Sequence, residues 1–420
     1  MKDIGIIVGL QLSSADEKAY SSSMNELKKL AEACEIEVVE AVIQKGPKIH
    51  ARQYIGTGKI ADIKELIKQH DATVAIFNHE LSASQIRNLE EALDVAVIDR
   101  TSLILRIFAQ RAKTKEAKIQ VEIAQLQYAL PRLKGANLYL GRQGGSAGAR
   151  NRGLGETKLE LDRRHILTKV AFLKKELATV QKQRNIQRNS RKKSKYPKVA
   201  LVGYTNSGKS TVMNKMLELS NQNEEKKVLE KDMLFATLDT NTRNIHIENF
   251  PPFLLSDTVG FVSNLPHLLV EAFKSTLEEV LDADLLLHIV DASNSEYFEQ
   301  IDITNETLKQ IGAEKVPALV VYNKIDRIAN FKIDPLSISA KIGTGFNNLL
   351  NHITATIYQD FTNMQLLVPY EDGALITEIK ENGPVVSFRS TDDGYSISWM
   401  CPNSLTDKYS NYCVDKPTVR

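Results

Sequence analysis

The segment at residues 203–210, GYTNSGKS, has the spacing G-x-x-x-x-G-K-[ST]. It follows the apolar run VALV and precedes TVMNKMLEL, which has the pattern of a helix, so it has the strand–loop–helix context of a phosphate-binding loop. Backbone N–H groups of such a loop and of the following helix point at phosphate oxygens. We expect Lys209 to neutralise the β- and γ-phosphates of a nucleoside triphosphate and the Ser210 hydroxyl to bind Mg²⁺.

Two further segments supply groups that triphosphate chemistry needs. Asp257 begins D-T-V-G after the apolar run FLLS; its carboxylate can hold Mg²⁺ through water, and the Gly260 amide can bond the γ-phosphate. Thr237, within FATLD at 235–239, is the candidate hydroxyl that reaches Mg²⁺ when the triphosphate is bound. The run at 221–232 is highly charged and has no apolar periodicity, which is typical of a mobile switch loop.

A fourth segment, N-K-I-D at 323–326, indicates which base is bound. Asp326 can accept hydrogen bonds from guanine N1–H and the 2-amino group, which adenine lacks, and leaving a buried carboxylate unpaired costs about 1–3 kcal/mol. Asn323 is expected to brace the base and the phosphate loop, and the Ala340 amide in S-A-K at 339–341 to complete the base pocket. The four segments together predict a GTP/GDP site.

We therefore predict Lys209, Thr237 and Gly260 as catalytic residues and Ser210 and Thr237 as Mg²⁺ ligands, with Asp257 acting through water. The predicted nucleotide-binding residues are Gly203, Tyr204, Thr205, Asn206, Ser207, Gly208, Lys209, Ser210, Thr211, Phe235, Ala236, Thr237, Leu238, Asp239, Asp257, Thr258, Val259, Gly260, Asn323, Lys324, Ile325, Asp326, Ser339, Ala340 and Lys341.

Two positions of this site differ from the best-known GTPases. Phe261 follows Gly260 where Ras-like proteins have a glutamine that orients water, and an apolar side chain cannot polarise water. The intrinsic hydrolysis rate is therefore expected to be slow and to rise when a partner reshapes the site. Asn206 lies where cation-dependent GTPases have an asparagine that helps to bind K⁺, so activation by K⁺ is a hypothesis.

The elements around this site predict a multidomain α/β protein. Strand-like runs at 4–10, 36–43, 73–78 and 95–99 alternate with helical patterns, including those at 59–69 and 82–93, which favours a parallel sheet. The predicted domains are an N-terminal α/β domain at 1–114, a basic helical hairpin at 115–192 with a Gly/Arg-rich tip loop at 131–156, a linker at 193–197, a doubly wound G domain at 198–362 and a small α+β domain at 363–420.

The hairpin is predicted from two apolar stripes. The first stripe, which Pro131 is expected to end, consists of Ile119, Ile123, Leu126 and Leu130. The second has the spacing of a helix seam and consists of Leu159, Ile166, Val170, Leu173, Leu177 and Val180. Between the two helices, residues 131–156 contain seven glycines and several arginines.

Positive charge is concentrated in this region. The whole chain has a net charge of +2, but residues 132–195 contain 18 Lys/Arg and 4 Asp/Glu, an excess of +14. Such density favours phosphate binding through counterion release, and a glycine-rich loop suits structured RNA. A solvated helix face with a flexible linker is the alternative interpretation. The predicted rRNA-binding residues are Arg132, Lys134, Arg142, Arg150, Arg152, Arg163 and Arg164.

Composition excludes several classes of protein. Three scattered cysteines, Cys34, Cys401 and Cys413, argue against a disulfide scaffold or a zinc finger and fit a reducing compartment. No apolar run approaches the roughly 20 residues needed to span a bilayer, so we expect a cytoplasmic protein, acting as a monomer. YIGTGK at 54–59 is interpreted as a tight turn into a helix rather than a second nucleotide site, because it lacks the Walker spacing.

The combination of motifs resembles one family of translation-factor-related GTPases. FATLDTNTR (235–243), DTVGFV (257–262), the following LP, the segment GRQGGSAGARNRGLGETKLELDRR (141–164), YIGTGK and ELSASQIRNLE (80–90) resemble the HflX family. The resemblance implies a cytoplasmic GTPase that binds the large ribosomal subunit and splits stalled or idle ribosomes under stress, with its hairpin loop near the peptidyl-transferase region.

Three alternatives remain open at this point. The protein could act on precursors of the large subunit, similarly to Obg-type assembly factors. It could displace ribosome-targeting antibiotics with its loop tip. It could also be an ATP-dependent RNA remodeller, which needs an ATP site outside 198–360.

Overall fold

The computed structural model describes residues 3–13, 16–140, 150–192, 196–220, 235, 241–263, 279–328 and 336–414. The chain forms two compact units. The first contains residues 1–185 together with 233–238 and 263–274, and the second contains 186–232, 239–262 and 275–420. Two short segments that follow the phosphate loop in sequence are thus grouped with the N-terminal unit.

The first unit is built on a four-stranded parallel sheet. Its strands are β1 (Ile4–Leu12), β2 (Glu37–Gly46), β3 (Val74–Phe77) and β4 (Ala96–Asp99), in the order β2-β1-β3-β4. This confirms the parallel sheet predicted from the alternating patterns. β3 is buried along its whole length, because helices cover both faces of a parallel sheet.

Four helices connect and follow these strands: α1 (Glu17–Ala33), α2 (Thr57–His70), α3 (Ala83–Leu93) and α4 (Arg100–Arg111). Helix α3 begins with a complete capping box, in which Ser82 and Gln85 exchange side-chain and backbone hydrogen bonds. Helix α4 was not predicted from the sequence. It begins directly after β4, because the Asp99 side chain accepts the backbone N–H of Ser102 at 2.8 Å and caps the helix.

The hairpin consists of α5 (Lys115–Leu140) and α6 (Arg150–Lys192). Ile119 and Ile123 pack against Val170 and Leu173, as the apolar stripes predicted. Ion pairs join Lys115 to Glu176 at 2.7 Å and Lys169 to Glu122 at 2.5 Å, which gives the antiparallel direction, since early positions of one helix pair with later positions of the other.

The prediction that Pro131 ends the first hairpin helix is wrong, because α5 continues through Pro131 to Leu140. The loop predicted at 131–156 is also too long, since helix α6 already begins at Arg150. The centre of that loop, 141–149, lies outside the described residues. A proline in a helix removes one backbone hydrogen bond but does not forbid continuation, and the contacts that favour continuation cannot be read from a single sequence.

The second unit contains a five-stranded sheet in the order β6-β7-β5-β8-β9. The strands are β5 (Lys198–Val202), β6 (Asn241–Ile245), β7 (Phe253–Asp257), β8 (Leu285–Asp291) and β9 (Ala318–Asn323). Only β6 runs antiparallel to its neighbour. Helices α7 (Lys209–Leu219), α8 (Tyr297–Ile311) and α9 (Phe346–Ile357) are described around it, and α7 and α9 share one apolar core with the sheet. This is the doubly wound sheet predicted for the G domain.

A small α+β module completes the second unit. Strands β10 (Phe361–Val368), β11 (Val385–Thr391) and β12 (Gly394–Pro402) form an antiparallel sheet in the order β10-β12-β11. Helices α10 (Gly373–Asn382) and α11 (Thr406–Tyr409) accompany the sheet, and Trp399 is completely buried in its core. The predicted fold class is thereby confirmed. Among the described residues, no helix is both long and apolar enough to cross a membrane.

Candidate nucleotide site

The glycine-rich loop at 203–210 connects β5 to α7 at the carboxyl edge of the five-stranded sheet. Gly203 has φ +141° and Gly208 has φ +94°, backbone conformations that residues with a side chain rarely adopt. A Cβ at Gly203 would lie 2.3 Å from the Ile289 carbonyl oxygen, and one at Gly208 would lie 2.3 Å from Asn323 Nδ2. Both glycines are required because the loop passes directly against two neighbouring strand ends.

Lys209 is the first residue of α7 and is only 6% exposed. Its Nζ donates hydrogen bonds to the carbonyl oxygens of Gly203 at 3.0 Å and Tyr204 at 2.8 Å. Burial lowers the pKa of this ammonium to about 8, while the nearby Asp257 carboxylate raises it. The loop thus curls around a buried amine, which a phosphate can approach.

Ser210 and Asp257 supply the oxygen donors that a hard divalent cation prefers. The Ser210 hydroxyl donates to Asp257 Oδ2 at 2.7 Å, and Asp257 is completely buried at the end of β7. Two loop hydroxyls, Thr205 Oγ1 and Ser207 Oγ, are buried and have no hydrogen-bond partner within the described part of the chain. A hydroxyl beside a carboxylate fits Mg²⁺, and buried unsatisfied hydroxyls beside loop amides fit phosphate oxygens.

The segment after Asp257 lies directly on the phosphate loop. The Phe261 backbone N–H donates to the Gly203 carbonyl at 3.1 Å, and the Thr205 N–H donates to the Phe261 carbonyl at 2.7 Å. A Cβ at Gly260 would lie 2.8 Å from Thr205 Cα and 3.0 Å from Lys209 Nζ. Only glycine permits this approach, so Gly260 places its backbone beside the phosphate-binding groups.

Asn323 joins the phosphate loop to the base-recognition segments. Its Nδ2 donates to the Ser207 carbonyl at 2.9 Å, and its Oδ1 accepts from the Ala340 N–H at 3.0 Å. Asp326 is exposed and accepts from the Ser339 hydroxyl at 2.6 Å. Lys324 Nζ pairs with Asp291 at 2.8 Å and donates to the Asn206 carbonyl at 2.6 Å. These contacts hold an accessible carboxylate at a fixed distance from the phosphate loop.

The structure brings together the predicted residues of the phosphate loop, of D-T-V-G and of the two base segments. Four predicted residues, Ala236, Thr237, Leu238 and Asp239, lie outside the described residues. Phe235 is described and is grouped with the first unit. It is 2% exposed, has φ +54°, and packs edge-to-face on Phe108 of α4 with ring centroids 4.6 Å apart.

The predicted rRNA-binding residues differ in their surroundings. Arg163 and Arg164 are exposed on α6. Arg132 has internal partners: it donates to Asp99 Oδ2 at 3.1 Å, to the carbonyls of Leu81 and Tyr128, and its guanidinium lies 3.3 Å from the centre of the Tyr128 ring. Its contact with RNA stays a prediction. Arg142 and the side chains of Lys134, Arg150 and Arg152 lie outside the described residues.

Sequence reasoning missed a group of buried charges in the first unit. Asp99 is 0% exposed and Arg100 is 2% exposed, although charged residues are rarely buried without partners. Arg100 forms a buried ion pair with Glu26. The available signal was the charged pair Asp-Arg directly after the apolar strand AVI, where a helix N-cap is expected.

The fold and the loop geometry define a P-loop GTPase. Three family models match consecutive parts of the chain: "GTP-binding GTPase N-terminal" at 21–109, "GTP-binding GTPase Middle Region" at 111–191 and "50S ribosome-binding GTPase" at 198–324.

Curated relatives identify the family. The chain is 41% identical to a GTPase HflX of Caldanaerobacter subterraneus over 98% of this chain and 94% of that protein. It is 37% identical to GTPase HflX of Escherichia coli over 94% and 93% of the two chains. The chain belongs to the HflX family of GTPases and is a GTP hydrolase. It is also similar to the solved SsGBP–GDP complex, at 26% identity and TM-score 0.47, covering 86% of this chain and 99% of that one.

Proposed function

We propose that this GTPase binds the large ribosomal subunit and separates stalled or idle ribosomes into subunits, with the tip of the α5–α6 hairpin approaching the peptidyl-transferase region. The observation that supports the proposal is that one chain contains a phosphate loop with guanine-recognition segments and a hairpin region with an excess of +14 charges. Cations at this density bind polyphosphate surfaces by releasing counterions.

The residues of the site divide the work of binding GTP. Loop amides and Lys209 hold the phosphates, and the exposed Asp326 carboxylate recognises guanine beside the Ala340 amide. Ser210 and Asp257 would hold Mg²⁺, with Thr237 as a further ligand. Mg²⁺ held by these residues would neutralise the negative charge that develops on the phosphates during hydrolysis. The Gly260 amide would bond the γ-phosphate and so distinguish GTP from GDP.

The intrinsic rate of GTP hydrolysis at this site is slow in the proposed mechanism. Phe261 is 1% exposed and its backbone is hydrogen-bonded to the phosphate loop, so it offers no polar group to orient water. A bound ribosome would accelerate hydrolysis by supplying or ordering that group. K⁺ bound near Asn206 would act in the same direction, and equal hydrolysis rates in K⁺ and Na⁺ buffers would remove K⁺ from the proposal.

Sedimentation of purified ribosomes tests the function. With a slowly hydrolysed GTP analogue, the wild-type chain should convert 70S particles into subunits and sediment with the large subunit. Arg163→Gln/Arg164→Gln should weaken this binding by roughly tenfold at 150 mM salt, since each lost phosphate contact lowers the affinity and its salt dependence. GTP binding should be unchanged.

The matched control is Lys28→Gln/Lys29→Gln, which removes two exposed charges from α1 of the same unit. This variant should behave as the wild type does. Intact 70S particles with binding only to large-subunit precursors would replace splitting by an assembly function. Splitting that occurs only on antibiotic-bound ribosomes would favour drug displacement, and ATPase activity that survives Lys209→Ala would favour the RNA remodeller.

A further inference from the structure

The first residues of helix α4 contact both the hairpin and the segment that follows Gly260 in the chain. Asp99 caps the helix and faces the base of the hairpin, whereas Arg100, its neighbour, faces Ser263, three residues after Gly260 in the chain. We propose that this Asp99-Arg100 pair transmits the state of the nucleotide site to the base of the hairpin, so that α5 responds to whether GTP or GDP is bound.

Asp99 contacts the hairpin through a buried carboxylate whose two oxygens both accept hydrogen bonds. Asp99 accepts one hydrogen bond from the hydroxyl of Tyr128, in the fourth turn of α5. It accepts another from the guanidinium of Arg132, in the fifth turn, at 3.1 Å. The same carboxylate accepts the Leu81 N–H at 3.0 Å and the Ser102 N–H at 2.8 Å. Because each oxygen accepts from α5 and also from a backbone N–H outside α5, a shift of the start of α4 changes the position of α5.

The contact with the nucleotide-responsive segment is equally buried. Arg100 Nη2 donates to the Ser263 hydroxyl at 2.9 Å and to its carbonyl at 3.2 Å, and the Ser263 hydroxyl donates to Glu26 at 2.5 Å. Arg100 Nη1 donates to Asn78 Oδ1 at 2.9 Å. The side chains of Arg100 and Glu26 are 3% and 10% exposed, so Ser263 is hydrogen-bonded to both members of a buried ion pair.

Chain continuity links Ser263 to the nucleotide. Two residues earlier, Phe261 is hydrogen-bonded to the phosphate loop at Gly203 and Thr205, and Gly260 approaches Lys209. A segment of four residues spans only about 10–13 Å when extended, so a shift of Gly260 toward a γ-phosphate is felt at Ser263. Ser263 in turn is grouped with the first unit, in agreement with its contacts.

A second contact on the same helix strengthens the inference. Phe108, two turns after Arg100, packs on Phe235, which belongs to the other segment predicted to respond to GTP. Phe235 has φ +54°, a conformation that costs a residue other than glycine about 1 kcal/mol or more and that persists only where packing maintains it. Both nucleotide-responsive segments therefore contact α4, at its first turn and near its end.

Hydrogen exchange on the full chain tests the proposal without ribosomes. Amide exchange of the α5 base, residues 115–133, is measured at saturating GDP and at a saturating GTP analogue. In the wild type, the two nucleotides should give exchange rates that differ about threefold or more. Ser263→Ala, which removes the hydroxyl, and Tyr128→Phe, which removes the donor to Asp99, should each abolish that difference.

Two controls separate transmission from loss of stability. Ser82→Ala removes the N-cap of α3 in the same unit. It should keep the difference in exchange between the two nucleotides, while lowering the stability of the protein by an amount similar to that of the two test variants. Ser263→Thr keeps a hydroxyl at this position and should also keep the difference in exchange between the two nucleotides. Equal exchange with both nucleotides in the wild type would overturn the proposal, as would a difference that survives in Ser263→Ala and Tyr128→Phe.

Discussion

The two parallel sheets of this protein use their carboxyl edges in different ways. In the five-stranded sheet this edge has glycines, backbone amides and buried hydroxyls around Lys209, which are groups that suit phosphate oxygens. In the four-stranded sheet the same edge is filled by Tyr54, His79, Asp99 and Arg100, of which Tyr54 is 1% exposed. Ligands bind at this edge in open α/β sheets, so one sheet binds a nucleotide there and the other holds parts of its own chain.

The difference follows from the size of the side chains at the strand ends. Gly9 in β1 lies so close to α1 that a Cβ would come within 2.3 Å of the Tyr20 hydroxyl, and Tyr54 donates or accepts a short hydrogen bond with His79. Aromatic rings occupy the space that loop amides surround in the other sheet. The carboxyl edge of the four-stranded sheet therefore contacts α5 and Ser263.

The largest effect is expected at the carboxyl edge of the five-stranded sheet, which we call the open edge. Lys209→Ala should lower kcat/KM for GTP by about 1,000-fold, because the buried ammonium contributes positive charge inside the phosphate loop. Single-turnover hydrolysis and nucleotide fluorescence measure this loss. Lys309→Ala, an exposed lysine on α8, should have no effect. Activity within tenfold of wild type would show that the phosphates lie elsewhere.

At the carboxyl edge of the four-stranded sheet, replacing a buried charged residue should lower the stability of the protein rather than its rate of GTP hydrolysis. Asp99→Asn removes the charge that pairs with Arg132 and is expected to lower the free energy of unfolding by about 3 kcal/mol, since one partner of a buried pair is left uncompensated. Urea denaturation gives the value. Asp62→Asn breaks the exposed Lys59 pair and should change stability by less than about 0.5 kcal/mol. Similar values for the two variants would contradict the role assigned to Asp99.

Base recognition sharpens the contrast, because it depends on an exposed group at the open edge. Asp326→Asn should reduce GTP affinity about 100-fold and increase affinity for xanthosine triphosphate, whose 2-carbonyl accepts the hydrogen bond that an asparagine amide donates. Competition between the two nucleotides measures the change. A variant that keeps its preference for guanine would place the base away from Asp326.

The smallest effect is expected from two histidines, His288, which is buried on β8, and His79, which is half-buried just after β3. Burial and the charge of Lys209 lower the pKa of His288 on β8 to about 4, and burial and Arg100 lower that of His79. The folded state prefers the neutral ring, so its stability is complete above about pH 6.5 and is lost as the pH falls toward 4. At pH 5 the loss from His288 is about 2 kcal/mol.

Urea denaturation between pH 7 and pH 5 checks this prediction. His288→Gln should show a flatter dependence of stability on pH than the wild type, whatever its stability at pH 7. An unchanged slope would mean that His288 is not protonated on unfolding in this range. His352→Gln changes an exposed histidine on α9 and serves as the control, with an unchanged slope.

Local patterns in the sequence predicted much of this protein. The strands at 4–10, 36–43, 73–78 and 95–99 were found within a few residues of their predicted bounds, because period and apolar content act over neighbouring positions. The phosphate loop was predicted because glycine spacing specifies its backbone conformation, and the base segments because their recognition of guanine depends on residue types at short spacing. The continuation of α5 through Pro131 was not predicted, since tertiary contacts outweigh the local preference.

The sequence by itself determined the chemistry of the nucleotide site and the location of the positive charge, because both depend on residue types at short spacing. Only the tertiary structure decided which charges are used inside the protein. Arg132, predicted from the sequence as an RNA-binding residue, pairs with Asp99 from a position 33 residues away, and Glu26 meets Ser263 across 237 residues. Such partners are brought together by the packing of whole helices and sheets, and no local spacing specifies them.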